Sequence, residues 1–199
     1  MITLTTGEIA LLVGGGLACD KDLLVSKAPV FDSRLATPGS FFLALKGQND
    51  DGHEFVADAY RLGSVFSLTT HVIDGPCIVV KDVIEALSIL ATFIRKRLTN
   101  LTVIAITGSQ GKTSTKDLLS HMLKSLGPTV ASAGSFNNDL GLPITLLECD
   151  ESTRFCILEM GARHKGDIAR LCEIAKPNIG VVLTVGTAHI GEFGSQRAI

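Results

Sequence analysis

The residues best suited to chemistry lie where an apolar run, 104–106, leads through a glycine-containing turn into a Gly-Lys-Thr triplet. Gly108 and Gly111 would let the backbone turn sharply, so that its N–H groups and the helix dipole face an anion. Lys112 would supply a charge for the β- and γ-phosphates of a nucleotide, and the Thr113 hydroxyl could hold Mg²⁺. The predicted phosphate loop consists of Thr107, Gly108, Ser109, Gln110, Gly111, Lys112, Thr113 and Ser114.

This loop departs from the general phosphate-loop pattern, which carries a glycine where this chain has Ile106. A glycine-rich turn can also be no more than a tight connection between a strand and a helix. Glycines alone do not explain a Gly-Lys-Thr triplet in the first turn of a helix, however. We therefore favour a shortened variant of the phosphate loop.

Apolar strands alternate with amphipathic helices from position 82 onward, and these elements would position the loop. The predicted elements are helix 82–98, strand 101–106, helix 113–126, strand 154–160, helix 165–175 and strand 179–185. This order predicts a parallel sheet with helices on both faces, which binds ligands at the carboxyl ends of its strands. On helix 113–126 we predict a core-facing set formed by Leu118, Leu119, Met122, Leu123 and Leu126.

The beginning of the chain has a different pattern of hydrophobic and turn-forming residues. Short apolar runs at 41–45, 65–68 and 78–80 are separated by turn residues. One helix is predicted to begin at Thr5, with Glu8 at capping-box spacing, and to end at the glycines 14–16. A second helix would have one apolar face, formed by Phe55, Val56, Ala59 and Leu62. The fold class is therefore α/β, with a small domain at 1–81 and a parallel-sheet, phosphate-loop mononucleotide-binding domain at 82–199.

Composition excludes several classes of function. The net charge is −2, and no basic run exceeds the three residues 95–97, so the electrostatic footprint of a nucleic-acid binder is missing. The five cysteines are odd in number and form no CxxC pair, which indicates reduced thiols in a cytoplasmic protein. We expect neither a signal peptide nor a membrane span.

Several stretches of the sequence resemble motifs of one family. The motif Thr-Gly-Ser-x-Gly-Lys-Thr at 107–113 is similar to that of the Mur ligases and the folylpolyglutamate synthases. The stretches that narrow the resemblance to Mur ligases are Gly-Ser-Phe-Asn-Asn-Asp-Leu-Gly-Leu-Pro at 134–143, Glu-Met-Gly-Ala at 159–162 with His164 and Gly166, Ala-His-Ile-Gly-Glu-Phe-Gly-Ser at 188–195, and Asp-Ser-Arg at 32–34 followed by 37–39 and 43–47. The resemblance covers nearly all 199 residues.

Resemblance to the Mur ligases implies an activity and a set of metal ligands. Such enzymes use ATP to convert a substrate carboxylate into an acyl phosphate, which an amine attacks to form an amide. The resemblance makes Lys112, Glu159 and His189 catalytic, and makes Thr113, Glu159 and His189 ligands of Mg²⁺. From the residues alone, Glu159 could instead be a helix cap or a solvated edge charge, and a lone histidine is more often structural.

The resemblance also assigns substrate contacts. Asn137 and Asn138 are similar to the pair in Mur ligases that join D-alanyl-D-alanine to UDP-N-acetylmuramoyl-tripeptide, and imply contacts with the UDP-muramoyl substrate. Two asparagines in a glycine-flanked loop are also ordinary turn formers. Ser33, Arg34 and Lys46 would bind the uridine diphosphate end. Arg34 could instead pair with the aspartate two residues before it, and Lys46 could be a solvated loop lysine.

Three alternatives stay open. The chain could belong to another Mur ligase, such as the one that adds the third amino acid, or to a folylpolyglutamate-type ligase, which should lack the nucleotide domain that carries Asp32, Ser33 and Arg34. It could also be a non-catalytic module that binds the UDP-precursor, because the family's carbamylated lysine and carboxy-terminal domain would lie beyond position 199. We expect a monomer, and we expect the 199-residue chain to be inactive alone.

Overall fold

A computed structural model describes residues 1–48 and 50–186 of the chain, together with residues 191 and 195. The chain divides into two compact units, Met1–Leu90 and Ala91–Ile199, and the division falls inside a helix that spans Val83–Arg97. Each unit contains parallel strands and helices, so the predicted α/β class is confirmed. Among the described residues, no helix combines the length and apolar character that crossing a membrane would require.

The first unit is built around a small mixed sheet. Its elements are β1 (Leu4–Thr5), α1 (Thr6–Val13), β2 (Gly16–Ala18), β3 (Leu24–Val25), β4 (Phe42–Leu43), α2 (Val56–Arg61), β5 (Ser67–Thr69), β6 (Cys77–Val79) and the start of α3 (Val83–Arg97). The sheet order is β2-β6-β5-β4, in which β4, β5 and β6 are parallel and β2 is antiparallel to β6. Strands β1 and β3 form a separate antiparallel pair. Each of the three predicted apolar runs overlaps a strand of the larger sheet.

Helix α1 begins and ends as its sequence predicts. The Thr5 side chain accepts a hydrogen bond from the Glu8 backbone N–H, and the Glu8 carboxylate accepts one from the Thr5 N–H at 2.8 Å. This reciprocal pair satisfies two backbone donors that an uncapped helix would leave unpaired. At the other end Gly14 adopts φ 62°, a left-handed conformation that glycine accepts without a steric penalty.

Helix α2 buries less of its predicted face than the sequence suggests. Val56 and Ala59 lie in a core cluster that also contains Phe42. Phe55 and Leu62, however, are 39% and 47% exposed, so the prediction was wrong for these two residues. Because the helix has only six residues, Phe55 belongs to a preceding 3-10 turn and Leu62 lies beyond the last turn.

The second unit contains a four-stranded parallel sheet. Its elements are β7 (Thr102–Thr107), α4 (Lys112–Lys124), β8 (Thr129–Ala131), α5 (Gly141–Glu148), β9 (Phe155–Glu159), α6 (Asp167–Ala175) and β10 (Ile179–Val182), after the end of α3. The strand order is β10-β7-β9-β8, with every neighbouring pair parallel. The predicted strands 101–106, 154–160 and 179–185 correspond to β7, β9 and β10. Strand β8 and helix α5 were not predicted.

Helix α4 packs on the sheet with only part of its predicted face, so the prediction is confirmed for two of the five residues and wrong for the other three. Leu119 and Leu123 contact the core cluster of Ile104, Ile106 and Ile157. The other three predicted core residues point to solvent instead. They are Leu118, Met122 and Leu126, at 69%, 65% and 62% exposed. The five predicted core positions span roughly 140° of the helix at about 100° per residue, and the sheet covers one edge of that arc. The rest of the buried face comes from Lys116 and Ser120.

The capping box of α1 predicts a measurable effect on stability. Thr5→Ala removes the side-chain acceptor for the Glu8 N–H and should lower the free energy of unfolding by about 1 kcal/mol. Urea denaturation followed by far-ultraviolet circular dichroism measures the change. Thr3→Ala is the matched control because Thr3 is exposed and precedes the cap. An unchanged urea midpoint in Thr5→Ala would show that the box adds nothing.

Candidate active site

The predicted phosphate loop, residues 107–114, begins at the carboxyl end of β7. Gly108 and Gly111 adopt φ values of 142° and 81°, which side-chain-bearing residues rarely accept. A Cβ atom at Gly108 would lie 3.1 Å from both Leu183 Cβ and Thr184 N, so the loop also passes too close to its neighbours for a larger residue. Gly111 is the N-cap of α4 and offers no capping side chain, which leaves the first N–H groups of the helix for another acceptor.

Hydrogen bonds hold this loop in shape from both sides. Lys112 folds back, and its Nζ donates to the Gly108 carbonyl oxygen at 2.7 Å. Ser109 donates its N–H to the Thr184 carbonyl at 2.8 Å and accepts the Gly186 N–H on its Oγ, also at 2.8 Å. The loop is therefore tied to the segment that follows β10, and its N–H groups keep a fixed orientation.

Glu159 ends β9 directly beside the loop, because it lies opposite Ile106 in the β7–β9 register. The side chain is almost completely buried, at 1% exposure. Its Oε2 accepts a hydrogen bond from the Thr113 hydroxyl at 2.7 Å, and its Oε1 accepts one from the Asn137 amide at 2.8 Å. Both donors are neutral. Within the described ranges, no lysine, arginine or histidine forms an ion pair with Glu159.

These contacts fit a magnesium ion. A buried carboxylate without a cationic partner is costly, and such groups in proteins are normally paired or bind metals. A carboxylate and a hydroxyl are oxygen ligands of the kind that Mg²⁺ prefers, and Mg²⁺ commonly takes one or two carboxylates together with substrate phosphates and water. No group of three or more His, Cys, Asp or Glu side chains that could hold a metal occurs in the described part of the chain. The protein ligands found there would be Thr113 and Glu159; His189 lies outside the described residues.

The two asparagines have different surroundings. The Asn137 side-chain amide donates to Glu159, and the Asn137 backbone carbonyl accepts the Gly161 N–H at 2.8 Å. Asn138 uses its Oδ1 to accept the N–H groups of Leu140 and Gly141, at 3.2 and 2.9 Å, which fixes the turn before α5. Asn138 thus acts as the turn former that its sequence context allows. Contact of either residue with the substrate stays a prediction.

A cleft of about 930 Å³ opens beside the loop. Gly108 and Lys112 line one side of it, Asn137 and Asn138 a second, and the 161–171 segment a third. The third side is shaped by Asp167, whose Oδ2 accepts the backbone N–H groups of residues 163 and 164 at 2.9 and 2.8 Å. These two hydrogen bonds hold the pKa of the Asp167 carboxyl below its usual range.

The residues predicted to bind the uridine end lie in the first unit. Ser33 is buried in a 3-10 turn, whereas Lys46 is exposed. Arg34 is exposed and pairs with Asp32, at 2.9 Å from Nε to Oδ1 and 2.6 Å between the terminal nitrogen and Oδ2. The hydrogen bonds from Arg34 lower the pKa of Asp32. The surface ion pair that the sequence allowed is therefore present, and ligand binding by these three residues stays a prediction.

Comparison with known proteins gives the family. A model of the Mur ligase middle domain matches residues 106–199. The whole chain aligns at 45% identity with the UDP-N-acetylmuramoyl-tripeptide–D-alanyl-D-alanine ligase of Mycobacterium tuberculosis, and at 36% with that of Escherichia coli. The chain belongs to the Mur ligase family. This Mur ligase chain spans 44% of the length of both relatives.

Solved structures agree with this Mur ligase assignment. A crystal structure of MurF from Acinetobacter baumannii superposes with a TM-score of 0.87 at 36% identity, covering 98% of this chain and 44% of that one. The MurF ligase of Thermotoga maritima in complex with ADP gives a TM-score of 0.75 at 33% identity, over 86% of this chain and 40% of that one. The parallel-sheet architecture predicted from the sequence is thus that of the MurF structures.

Sequence reasoning did not identify two parts of the site of this Mur ligase. It treated Asn137 as a substrate contact and missed its bond to Glu159. It also passed over Lys116, a buried lysine one turn after Lys112. The signal available in the sequence was the four-residue spacing of the two lysines, which places them on the same side of a helix.

The depressed pKa of Asp167 predicts a pH-dependent stability. Because the folded pKa lies below the unfolded one, the charged carboxylate stabilises the fold above the unfolded pKa of about 4. This stabilisation is lost as the pH falls through the folded pKa. Asp167→Asn should therefore lower the melting temperature at neutral pH, and the difference should close in acid.

Thermal unfolding across a pH series measures this difference. Glu173→Gln, an exposed carboxylate on the same helix, is the matched control and should leave the melting temperature unchanged. A gap between wild type and Asp167→Asn that persists unchanged in acid would contradict the electrostatic explanation.

Proposed function

We propose that the protein containing this chain is the ATP-dependent ligase that joins D-alanyl-D-alanine to UDP-N-acetylmuramoyl-tripeptide in peptidoglycan precursor synthesis. The observation that carries the proposal is the 2.7 Å hydrogen bond from Thr113 to Glu159, since it joins the phosphate loop to a buried carboxylate. The names of the relatives that align along the whole chain support the choice of substrates.

In this proposal residues 107–114 bind the phosphates of ATP. The N–H groups around Gly108 and at the start of α4 would face phosphate oxygens, and the Lys112 ammonium would add a positive charge. The MurF neighbour solved with ADP supports a nucleotide here. Thr113 and Glu159 would hold Mg²⁺, with His189 as the third residue that the family resemblance suggests. When bound, Mg²⁺ would neutralise phosphate charge.

The chemistry requires two anionic groups to approach each other. The terminal phosphoryl group of ATP would pass to the substrate carboxylate, ADP would leave, and the amine of D-alanyl-D-alanine would attack the acyl phosphate to form an amide and release phosphate. This chain's residues would favour the approach by holding positive charge and N–H donors at fixed positions before the substrates bind. Lys112 is the residue placed for that task.

The UDP-muramoyl tripeptide would contact residues of both units, and the protein would work in the cytoplasm. Asn137 and Asn138 border the same cleft as Lys112, which supports a place there for the muramoyl peptide. Ser33, Arg34 and Lys46 would bind the uridine diphosphate end in the first unit. All five cysteines are free thiols, which supports a reducing, cytoplasmic location.

Removal of the loop lysine tests the nucleotide assignment. In the full-length protein, Lys112→Ala should abolish ATP-dependent amide formation and weaken ATP binding by roughly tenfold to a hundredfold, because a hydrogen bond to a charged group is worth about 1.5–3 kcal/mol. Binding of the UDP-muramoyl tripeptide should be largely kept. Phosphate release and calorimetry measure the two effects. Lys124→Ala, on the exposed end of the same helix, is the control. Near-normal turnover by Lys112→Ala would remove the loop from the mechanism.

Removal of the exposed arginine tests the uridine assignment. Calorimetry with the UDP-muramoyl tripeptide, without ATP, should show at least about tenfold weaker binding by Arg34→Ala, because a charge-assisted contact with the diphosphate is lost. Arg61→Ala is a matched control, since Arg61 forms a similar surface ion pair with Asp58 in the same unit. Equal affinity of the two variants would show that Arg34 serves only its pair with Asp32.

A further inference from the structure

Lys116 is a buried cation that the proposed function does not use. It lies on α4 one turn after Lys112, and 2% of its surface is exposed. Its Nζ donates to the carbonyl oxygens of Ser132 and Gly134, at 2.7 and 2.9 Å, and lies 3.0 Å from Oδ1 of the exposed Asp117. Burying an ammonium group is costly unless each of its donors has a partner. This lysine therefore fixes the two carbonyl groups that it reaches.

The segment held by Lys116 runs from the end of β8 to the start of α5. Besides the lysine, hydrogen bonds attach it to β9 and to the residues that follow β9. Ser132 donates its N–H to the Ile157 carbonyl at 3.1 Å and accepts the Glu159 N–H on its Oγ at 3.3 Å, and the Asn137 backbone carbonyl accepts the Gly161 N–H at 2.8 Å. The fit is close, because a Cβ atom at Gly161 would lie 2.9 Å from Asn137 Cγ and Oδ1. The position of Asn137 therefore depends on how this segment is held.

Asn137 in turn fixes the orientation of the Glu159 carboxylate. Each carboxylate oxygen has its own donor, the Asn137 amide at Oε1 and the Thr113 hydroxyl at Oε2. With both oxygens held, the group cannot rotate without breaking a hydrogen bond in a buried site, where an unsatisfied polar atom is costly. A connected path thus runs from Lys116 through residues 132–137 to Glu159.

We propose that Lys116 is a positioning residue, which holds the segment 132–137 so that Asn137 orients the Glu159 carboxylate for a divalent cation shared with Thr113. This inference rests on the metal assignment of the proposed function. Groups that orient a metal ligand typically contribute about 10-fold to 100-fold to metal affinity. The contacts of Gly108, Gly111 and Lys112 with nucleotide do not depend on Lys116, so the part of nucleotide binding that needs no metal should be kept.

The test compares ADP binding by calorimetry in excess Mg²⁺ and in EDTA, in the full-length protein. The ratio of the two affinities isolates the contribution of the metal. Lys116→Met and Asn137→Ala should each reduce this ratio by about tenfold or more while leaving the affinity in EDTA unchanged. Lys124→Met, which removes an exposed lysine from the same helix, should keep the wild-type ratio.

A double variant separates positioning from general stability. If Lys116 acts through Asn137, Lys116→Met combined with Asn137→Ala should reduce the ratio no further than either change alone, since coupled residues are not additive. If Lys116→Met does not fold, Lys116→Gln, which keeps a polar end without the charge, takes its place with the same expected fall. Asn137 lies in a partly exposed loop, so Asn137→Ala tests the same path without removing the buried lysine.

The outcomes distinguish this inference from the function on which it rests. Additive losses in the double variant, or a wild-type ratio in the Lys116 variants, would overturn the positioning role. Wild-type protein that binds ADP equally well with Mg²⁺ and with EDTA would instead show that the Thr113–Glu159 metal site is wrong. If wild type binds ADP more tightly with Mg²⁺ than with EDTA, and each single variant loses this difference, the result supports both the metal site and the positioning role of Lys116.

Discussion

The candidate site in the second unit is organised around one buried carboxylate. Glu159 is removed from water at the end of β9, and the hydrogen bonds to its carboxylate come from a hydroxyl and an amide. The two donors come from different parts of the chain, the first turn of α4 and the loop before α5. Because both must reach the carboxylate, the helix, the loop and the strand are held in one arrangement. Burying this charge lowers the stability of the fold, and a cation bound beside the carboxylate would offset that loss.

The parallel register makes this arrangement possible. Ile106 and Glu159 are partners, so β7 and β9 end level with each other. The phosphate loop leaves one strand and the carboxylate ends the next, about one strand spacing of 5 Å away. Parallel sheets place all carboxyl ends at one edge, and the sequence order of strand, loop and helix then brings Thr113 over Glu159. The geometry of the site is therefore a consequence of this topology together with the loop that follows β7 and the glutamate that ends β9.

The sequence predicts the parts of this unit that have strong local signals. Strand β7 is an apolar run followed by Gly108 and Gly111, which need unusual backbone angles, and the structure has them. Strand β8 was missed because three residues give too short a pattern for periodicity to detect. Helix α5 was missed because it is buried on all sides from Gly141 to Leu147, so no polar face marks a helical period, and Pro143 suggests a turn.

The remaining errors have a common physical origin. Sequence patterns assign charged residues to the surface and leucines to the core, which holds for most residues but not for single functional positions. On α4 this rule placed Leu118 inside and passed over Lys116, whereas the structure exposes the leucine and buries the lysine. The reversal depends on carbonyl groups 16 and 18 residues away along the chain, which no local pattern encodes. The same holds for the bond between Asn137 and Glu159, which spans 22 residues.

The bond from Lys112 to the Gly108 carbonyl has a consequence for selectivity. A free lysine side chain loses about 1.5–2 kcal/mol of conformational entropy when it is immobilised. Here most of that loss has occurred during folding, before any ligand arrives. An ammonium group has three N–H donors, so Lys112 can keep the carbonyl and still direct others at a phosphate. In the proposed function, a nucleoside without phosphates would offer no anion to the remaining donors of Lys112, so the loop would select its ligand by the charge of the phosphates rather than by the base.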